Sequence, residues 1–146
     1  MQSSRLIDFE ININKKEASE YIDCYFSKLV PTERCEKIKN LLEDFKKATQ
    51  SSYPEKRIWG VKRKDCHKLI GTISLENISM EFGAKLTITI PNEQYARRYG
   101  SEAVYKLVES IKEEGKIPVI YLDVANDIIC RYMHERQMPE MINCTK

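Results

Sequence analysis

Arg97 and Arg98, followed by Gly100 and Ser101, stand between two segments of opposite character. Ahead of them Leu86, Ile88 and Ile90 alternate with Lys85, Thr87 and Thr89, the period of a half-buried strand, and Pro91 and Asn92 stop that strand. Behind them Ala103, Val104, Leu107, Val108 and Ile111 keep helical spacing. A strand that feeds a helix through a short basic turn makes an anion site. The first N–H groups of the helix have no partner within it, and the helix dipole favours negative charge there. The expectation is a basic, tyrosine-rich connection from Gln94 to Gly100, a helix from Ser101 to Glu114, and a phosphate over Arg97 to Ser101. A pair of arginines is more often a solvated surface, but a helix entry after a strand favours the anion.

The remaining reactive side chains are scattered. Cys130 and His134 share one face at i, i+4 and could ligate a metal with Cys66 and His67 as distant partners. Without a tighter ligand cluster no metal is expected. The two histidines assemble neither a Ser/His/Asp set nor a Cys/His pair. Lys62, Arg63 and Lys64 read as a solvated hairpin tip, and Cys24 and Cys35 as small core residues. Five cysteines, odd in number and irregular in spacing, do not read as a disulfide framework; reduced thiols in a cytoplasm are the simpler expectation.

The elements that must position these residues can be read in order. Ile7, Phe9 and Ile11 alternate with Asp8 and Glu10 in a strand from Arg5 to Asn12. Asn14 can cap a helix with Glu17 as its capping-box partner, carrying Ala18, Tyr21, Ile22, Tyr25, Phe26 and Leu29 to an end at Pro31. A second amphipathic helix starts at Thr32 with Cys35, Ile38, Leu41, Leu42, Phe45 and Ala48 on one side. Arg57–Lys62 and Leu69–Leu75 form a hairpin across a polar turn, and a second turn from Asn77 to Gly83 leads into the Lys85 strand. Gly115 closes the helix that follows. Pro118 to Val124 is a nearly all-apolar strand, as a buried parallel one is, and Ala125 to Gln137 is a last helix ended by Pro139. The order is β-α-α-β-β-β-α-β-α: an α/β (α+β) mixed sheet with helices on its faces, antiparallel through its hairpins and parallel across the helical crossover.

At 146 residues, 42% hydrophobic and 32% charged, the chain reads as one folded domain, residues 1–146. A net charge of +2 is too small to argue for nucleic acid. No run is long enough to span a bilayer, and the N-terminus has no apolar leader core, so no membrane is expected.

With these lengths and this order, the chain resembles the GNAT superfamily of acyl-CoA-dependent N-acetyltransferases. AKLTITIPNEQYARRYGSEA is similar to the superfamily's central block of strand, Pro-containing turn, (Gln/Arg)-x-x-Gly-x-(Gly/Ala) and helix. IGTISL resembles its preceding strand and VIYLDVANDIICRYMHERQM its later strand and helix. The IGTI strand and the GSEA helix start look like the branch that acetylates protein N-termini and polyamines. In the signature itself Tyr95 stands where Gln or Arg is usual and Arg98 where the first Gly is usual; Ala96 replaces a frequent glycine and Gly100 fits.

The resemblance implies direct acetyl transfer from acetyl-CoA, as co-substrate and without a metal, to a primary amine of a small molecule or protein. Backbone N–H groups near Ile88 and Ile90 would hold the pantetheine and the developing oxyanion. Tyr95, Ala96, Arg97, Arg98, Tyr99, Gly100 and Ser101 would form the pyrophosphate site, with Asn126 on the later helix. Arg98 could crowd the phosphates or pair with them; pairing is the expectation. Tyr132 would be the general acid that protonates the leaving thiolate, or else a helix residue packing on the sheet. Glu76 is the candidate base, ahead of Glu81, against its plainer reading as a solvated carboxylate at a hairpin. The superfamily normally adds two strands where this chain ends soon after Met138, so the open sheet edge is expected to be filled by a second copy of the chain. Two classes stay open: the N-acetyltransferase, and a GNAT-like binding protein without catalysis that holds CoA or a protein partner. A nucleic-acid module built on Lys62–Lys64 and Arg97–Arg98 is remote.

Overall fold

The computed structural model describes residues 6–50, 56–122 and 141–144. Among these, six strands form one sheet: β1 (Ile7–Glu10), β2 (Arg57–Arg63), β3 (Leu69–Ser79), β4 (Gly83–Thr89), β5 (Val119–Leu122) and β6 (Met141–Asn143). They lie side by side in chain order, antiparallel except for the β4–β5 pair. That parallel pair is what the intervening helix demands, because a helical crossover returns the chain to the end at which the strand began. Three helices are described: α1 (Lys15–Tyr25), α2 (Pro31–Gln50) and α3 (Glu93–Glu114). None of them is long and apolar enough to cross a membrane.

Strand alternation gives the sheet two faces. Trp59 on β2, Ile73 and Leu75 on β3, Leu86 and Ile88 on β4 and Ile120 on β5 bury against Ala103, Val104, Leu107, Val108 and Ile111 of α3. Each large aliphatic side chain buried there contributes about 1.5–3 kcal/mol. On the opposite face Ala18, Tyr21 and Ile22 of α1 meet Ile38 of α2 and Leu69 of β3. Gly60 keeps this second layer close, for a Cβ there would lie 2.8 Å from Leu69 Cδ1 and 3.4 Å from Ile13 Cγ2.

The cap on α1 is the one read from the sequence. Asn14 Oδ1 accepts from the Glu17 N–H at 2.8 Å and the Asn14 N–H donates to Glu17 Oε1 at 3.2 Å. Pro31 opens α2 at its first helical position, where a missing N–H costs nothing, rather than merely ending α1.

Several expectations need correction, beginning with Cys24 and Cys35, which are exposed and not core residues. β3 runs four residues past Leu75, to Ser79, because Asn77 (φ 52°) is accommodated within the strand, where the β3–β4 register shifts between Glu76 and Ser79, instead of starting a turn. α3 starts at Glu93, not Ser101: Asn92, read as a strand stop, is its N-cap, accepting from the Tyr95 N–H at 3.0 Å. Nothing between Gln94 and Tyr99 breaks a helix, and buried Ala96, Tyr99 and Ala103 extend the apolar stripe toward the N-terminus. Finally, the edge beside β5 is covered by the chain itself. β6 pairs antiparallel with β5, placing Ile120 opposite Ile142, so the strand beside β5 comes from this chain and not from a second copy. The helix read over Ala125–Gln137 lies outside the described residues.

Candidate active site

The C-terminal end of β4 and the start of α3 meet two other segments at one end of the sheet. β3 enters beside it, with Thr72 opposite Thr89 and Ile73 opposite Ile88. The approach is close at Gly71, where a Cβ would stand 2.3 Å from the Thr89 carbonyl oxygen and 2.8 Å from Ile90 Cγ1. The described β4–β5 register covers Ala84 to Leu86 against Ile120 to Leu122, while β4 continues along β3 to Thr89. The side chains of Ile88 and Ile90 are buried in the α3 layer, so what these residues offer a ligand is backbone.

At the helix entry the arginines read as phosphate contacts are exposed. Arg97 Nη2 donates to Glu93 Oε1 at 2.7 Å, one turn back, and the Arg98 guanidinium lies 5.3 Å from the Tyr99 ring centre. Because Arg97 to Ser101 belong to the helix, their N–H groups point into its hydrogen-bond ladder and not toward a ligand. Ala96, Tyr99, Gly100 and Ser101 are buried. The anion-binding geometry expected over Arg97–Ser101 therefore moves back to the first turn, at Glu93 and Gln94, beside the capped Tyr95 N–H.

The sequence reading missed Arg63. It sits at the end of β2, and its guanidinium lies 5.0 Å from the Tyr95 ring centre and 6.0 Å from that of Tyr99. Nη1 donates to the Tyr95 hydroxyl at 2.8 Å, Nη2 pairs with Asp65, and the buried Nε has no partner among the described residues. The Asp65 hydrogen bond raises the Arg63 pKa well above the ordinary guanidinium value. Burial works against the Asp65 carboxylate, but its bonds to Arg63 and Cys66 prevail and hold its pKa down. The supposed solvated tip is thus paired throughout, with Lys62 on Glu17 and Lys64 Nζ 3.7 Å from Asp8. The signal lay in Tyr95 and Tyr99, one helical turn apart, which give a cation an aromatic wall.

Below this cluster, between α1–α2 and the sheet, lies a cavity of about 230 Å³ that Thr72 and Thr89 close on the strand side. Tyr21, Phe26 and Leu41 supply apolar walls; Lys37, Asn40 and Asp44 line the α2 side. Burial pushes the Tyr21 phenol far above its ordinary range, so it stays neutral. Lys37 Nζ rests 4.3 Å from the Phe26 ring centre.

Glu76 faces Lys85, three residue pairs from Ile88, so about 10 Å of strand separates it from the backbone read as the oxyanion site. It reaches the cavity indirectly: Lys56 Nζ is 3.6 Å from Glu76 and 3.8 Å from Asp44. Asp44 is a second residue that the sequence did not single out. Tyr132 and Asn126, the expected acid and helix contact, lie outside the described residues, as do Cys130 and His134. Among the described residues no three His, Cys, Asp or Glu side chains converge as metal ligands.

The sequence matches no protein-family model and no curated protein. Solved structures do match. A proposed ribosomal-protein-serine acetyltransferase from Vibrio cholerae superposes with a TM-score of 0.64 at 18% identity, over 89% of this chain and 80% of that one. The chain has the GNAT acetyltransferase fold. RimL, a ribosomal α-N-protein acetyltransferase solved in complex with coenzyme A, gives a TM-score of 0.65 at 9% identity, over 92% and 80% of the two chains. The spermidine/spermine N-acetyltransferase SpeG from Vibrio cholerae gives 0.61 at 17% identity, over 90% and 75%. Within the GNAT fold of this chain, β4, α3 and the α1–α2 cavity converge on one end of the sheet.

Proposed function

We propose that this chain is an N-acetyltransferase that moves the acetyl group of acetyl-CoA to a primary amine. The observation that carries the reading is the cavity at Thr72 and Thr89, which opens an acceptor-sized space against the end of β4 on an acetyltransferase fold. The backbone at Ile88 of β4 and at Ile90, one residue past its end, holds the pantetheine and the thioester oxygen. The first turn of α3 and Arg98 face the pyrophosphate, with Arg98 swinging from the Tyr99 ring to pair with it. Tyr95, Ala96, Tyr99, Gly100 and Ser101 then act by packing the helix entry, and Arg97 by answering Glu93. The acceptor amine attacks the carbonyl, a C–N bond forms and the C–S bond breaks. The proton lost from nitrogen passes to the Asp44–Lys56–Glu76 group, and Tyr132 returns one to the thiolate sulfur.

A second reading, a CoA- or partner-binding protein without catalysis, draws on the continuous helix over Arg97–Ser101 and on the Glu93 carboxylate in its first turn. Thermal shift with acetyl-CoA, followed by CoA release on an amine panel, separates the two. Ligand at one hundred times its dissociation constant adds about 2.7 kcal/mol of stability. Tyr132→Phe should leave that shift intact and lower turnover by about 10²–10⁴-fold. Arg98→Gly should weaken CoA binding; tighter binding would show Arg98 to be an obstruction. A shift without turnover on any amine gives the binding reading precedence; no shift removes the acetyltransferase and the CoA-binding readings and leaves only a protein partner.

A further inference from the structure

We infer that the acceptor is a small zwitterion, an amino acid with an apolar side chain, rather than a polyamine. This rests on the acetyltransferase reading but concerns only what the α1–α2 cavity binds. Among the described residues the cavity carries one cation and one anion, on the same helix face. Lys37 and Asp44 are seven residues apart on α2, two turns and about 10.5 Å along the axis, with Asn40 and Leu41 between them. Each is loosely engaged. Lys37 lies on the Phe26 ring at 4.3 Å, and Asp44 stands 3.8 Å from a Lys56 that it shares with Glu76.

An acceptor with an ammonium toward Asp44 and a carboxylate toward Lys37 satisfies both at once, and Lys37 has the side-chain length to close the remaining gap. Its apolar side chain meets Tyr21, Phe26 and Leu41, while Asn40, Thr72 and Thr89 can hydrogen-bond its polar end. A polyamine brings positive charge to both ends of the same space and meets Lys37 with like charge. The cavity volume, about 230 Å³, suits a compact molecule.

The test is calorimetric titration of the full chain, with and without coenzyme A, using four probes: L-leucine, L-leucinamide, 4-methylpentanoate and spermidine. L-Leucine should bind, and loss of either charged end should weaken binding about tenfold or more. Lys37→Gln should abolish the preference for L-leucine over L-leucinamide, and Lys37→Glu should invert it and admit spermidine. Lys37 is exposed on a helix, so these variants are expected to fold, which circular dichroism checks. The inference is overturned if wild-type protein binds L-leucinamide or spermidine as tightly as L-leucine, if it does not bind L-leucine, or if Lys37→Gln leaves the preference unchanged. Binding of L-leucine with no CoA release from acetyl-CoA, on L-leucine or on any amine of the panel, upholds the zwitterion as what the cavity binds and removes the acetyltransferase reading instead.

Discussion

Gly71→Ala tests whether β3 and β4 must touch at the candidate site. The added Cβ would stand 2.3 Å from the Thr89 carbonyl oxygen, 2.8 Å from Ile90 Cγ1 and 3.1 Å from Ile90 Cα, where ordinary contact begins at 3.4 Å. The oxygen and Cα are backbone, so relief requires the two strands to part by about an ångström at the end where Thr72 faces Thr89. Ile90 cannot swing far, being 3% exposed. Overpacking of this kind costs about 1–3 kcal/mol, and each ladder bond weakened adds about 1 kcal/mol. A loss of about 3 kcal/mol lowers Tm by about 6–12 °C in a chain of this size. Gly115→Ala is the control: its φ is +69° and nothing lies within 4 Å, so only the left-handed backbone is penalised, by about 1 kcal/mol. Thermal and urea unfolding followed by circular dichroism measure both, and acetyl-CoA titration should show weaker binding in the Gly71 variant alone. If Gly71→Ala melts no lower than Gly115→Ala, the close β3–β4 approach does not constrain the fold and the reasoning fails.

Tyr95→Phe removes the hydroxyl that accepts from Arg63 but keeps the ring, so the urea midpoint should fall by the equivalent of about 1–2 kcal/mol at constant m; no change would mean that Arg63 is held by Asp65 and stacking alone. Burial opposes the Glu17 carboxylate, but its bonds to Lys62 and the Asn14 N–H prevail and keep its folded pKa below the ordinary 4.5. Its contribution is therefore complete above about pH 4.5 and is lost as pH falls through the lowered folded value. Stability measured from pH 6 to pH 3 should drop less steeply in Glu17→Gln, and parallel profiles would contradict this.

Local patterns in the sequence determined most of the scaffold. Alternation at Leu86, Ile88 and Ile90 and helical spacing at Val104, Leu107 and Ile111 report which face each element buries, because burial imposes the backbone's own period on the side chains. The Asn14–Glu17 box needs only four residues to form. Order and turn lengths then allow few sheet topologies, which is why the mixed sheet was legible. The helix entry was not. Asn92 serves equally as a strand stop and an N-cap, and the choice fell to the burial of Ala96 and Tyr99 against strands distant in sequence. Likewise Arg63 is 32 residues from Tyr95, and Asp44 meets Glu76 only through Lys56. Such groups have no periodic signature. Their partnership is fixed by the packing of α1–α2 and α3 on opposite faces of the sheet, which only the tertiary structure decides.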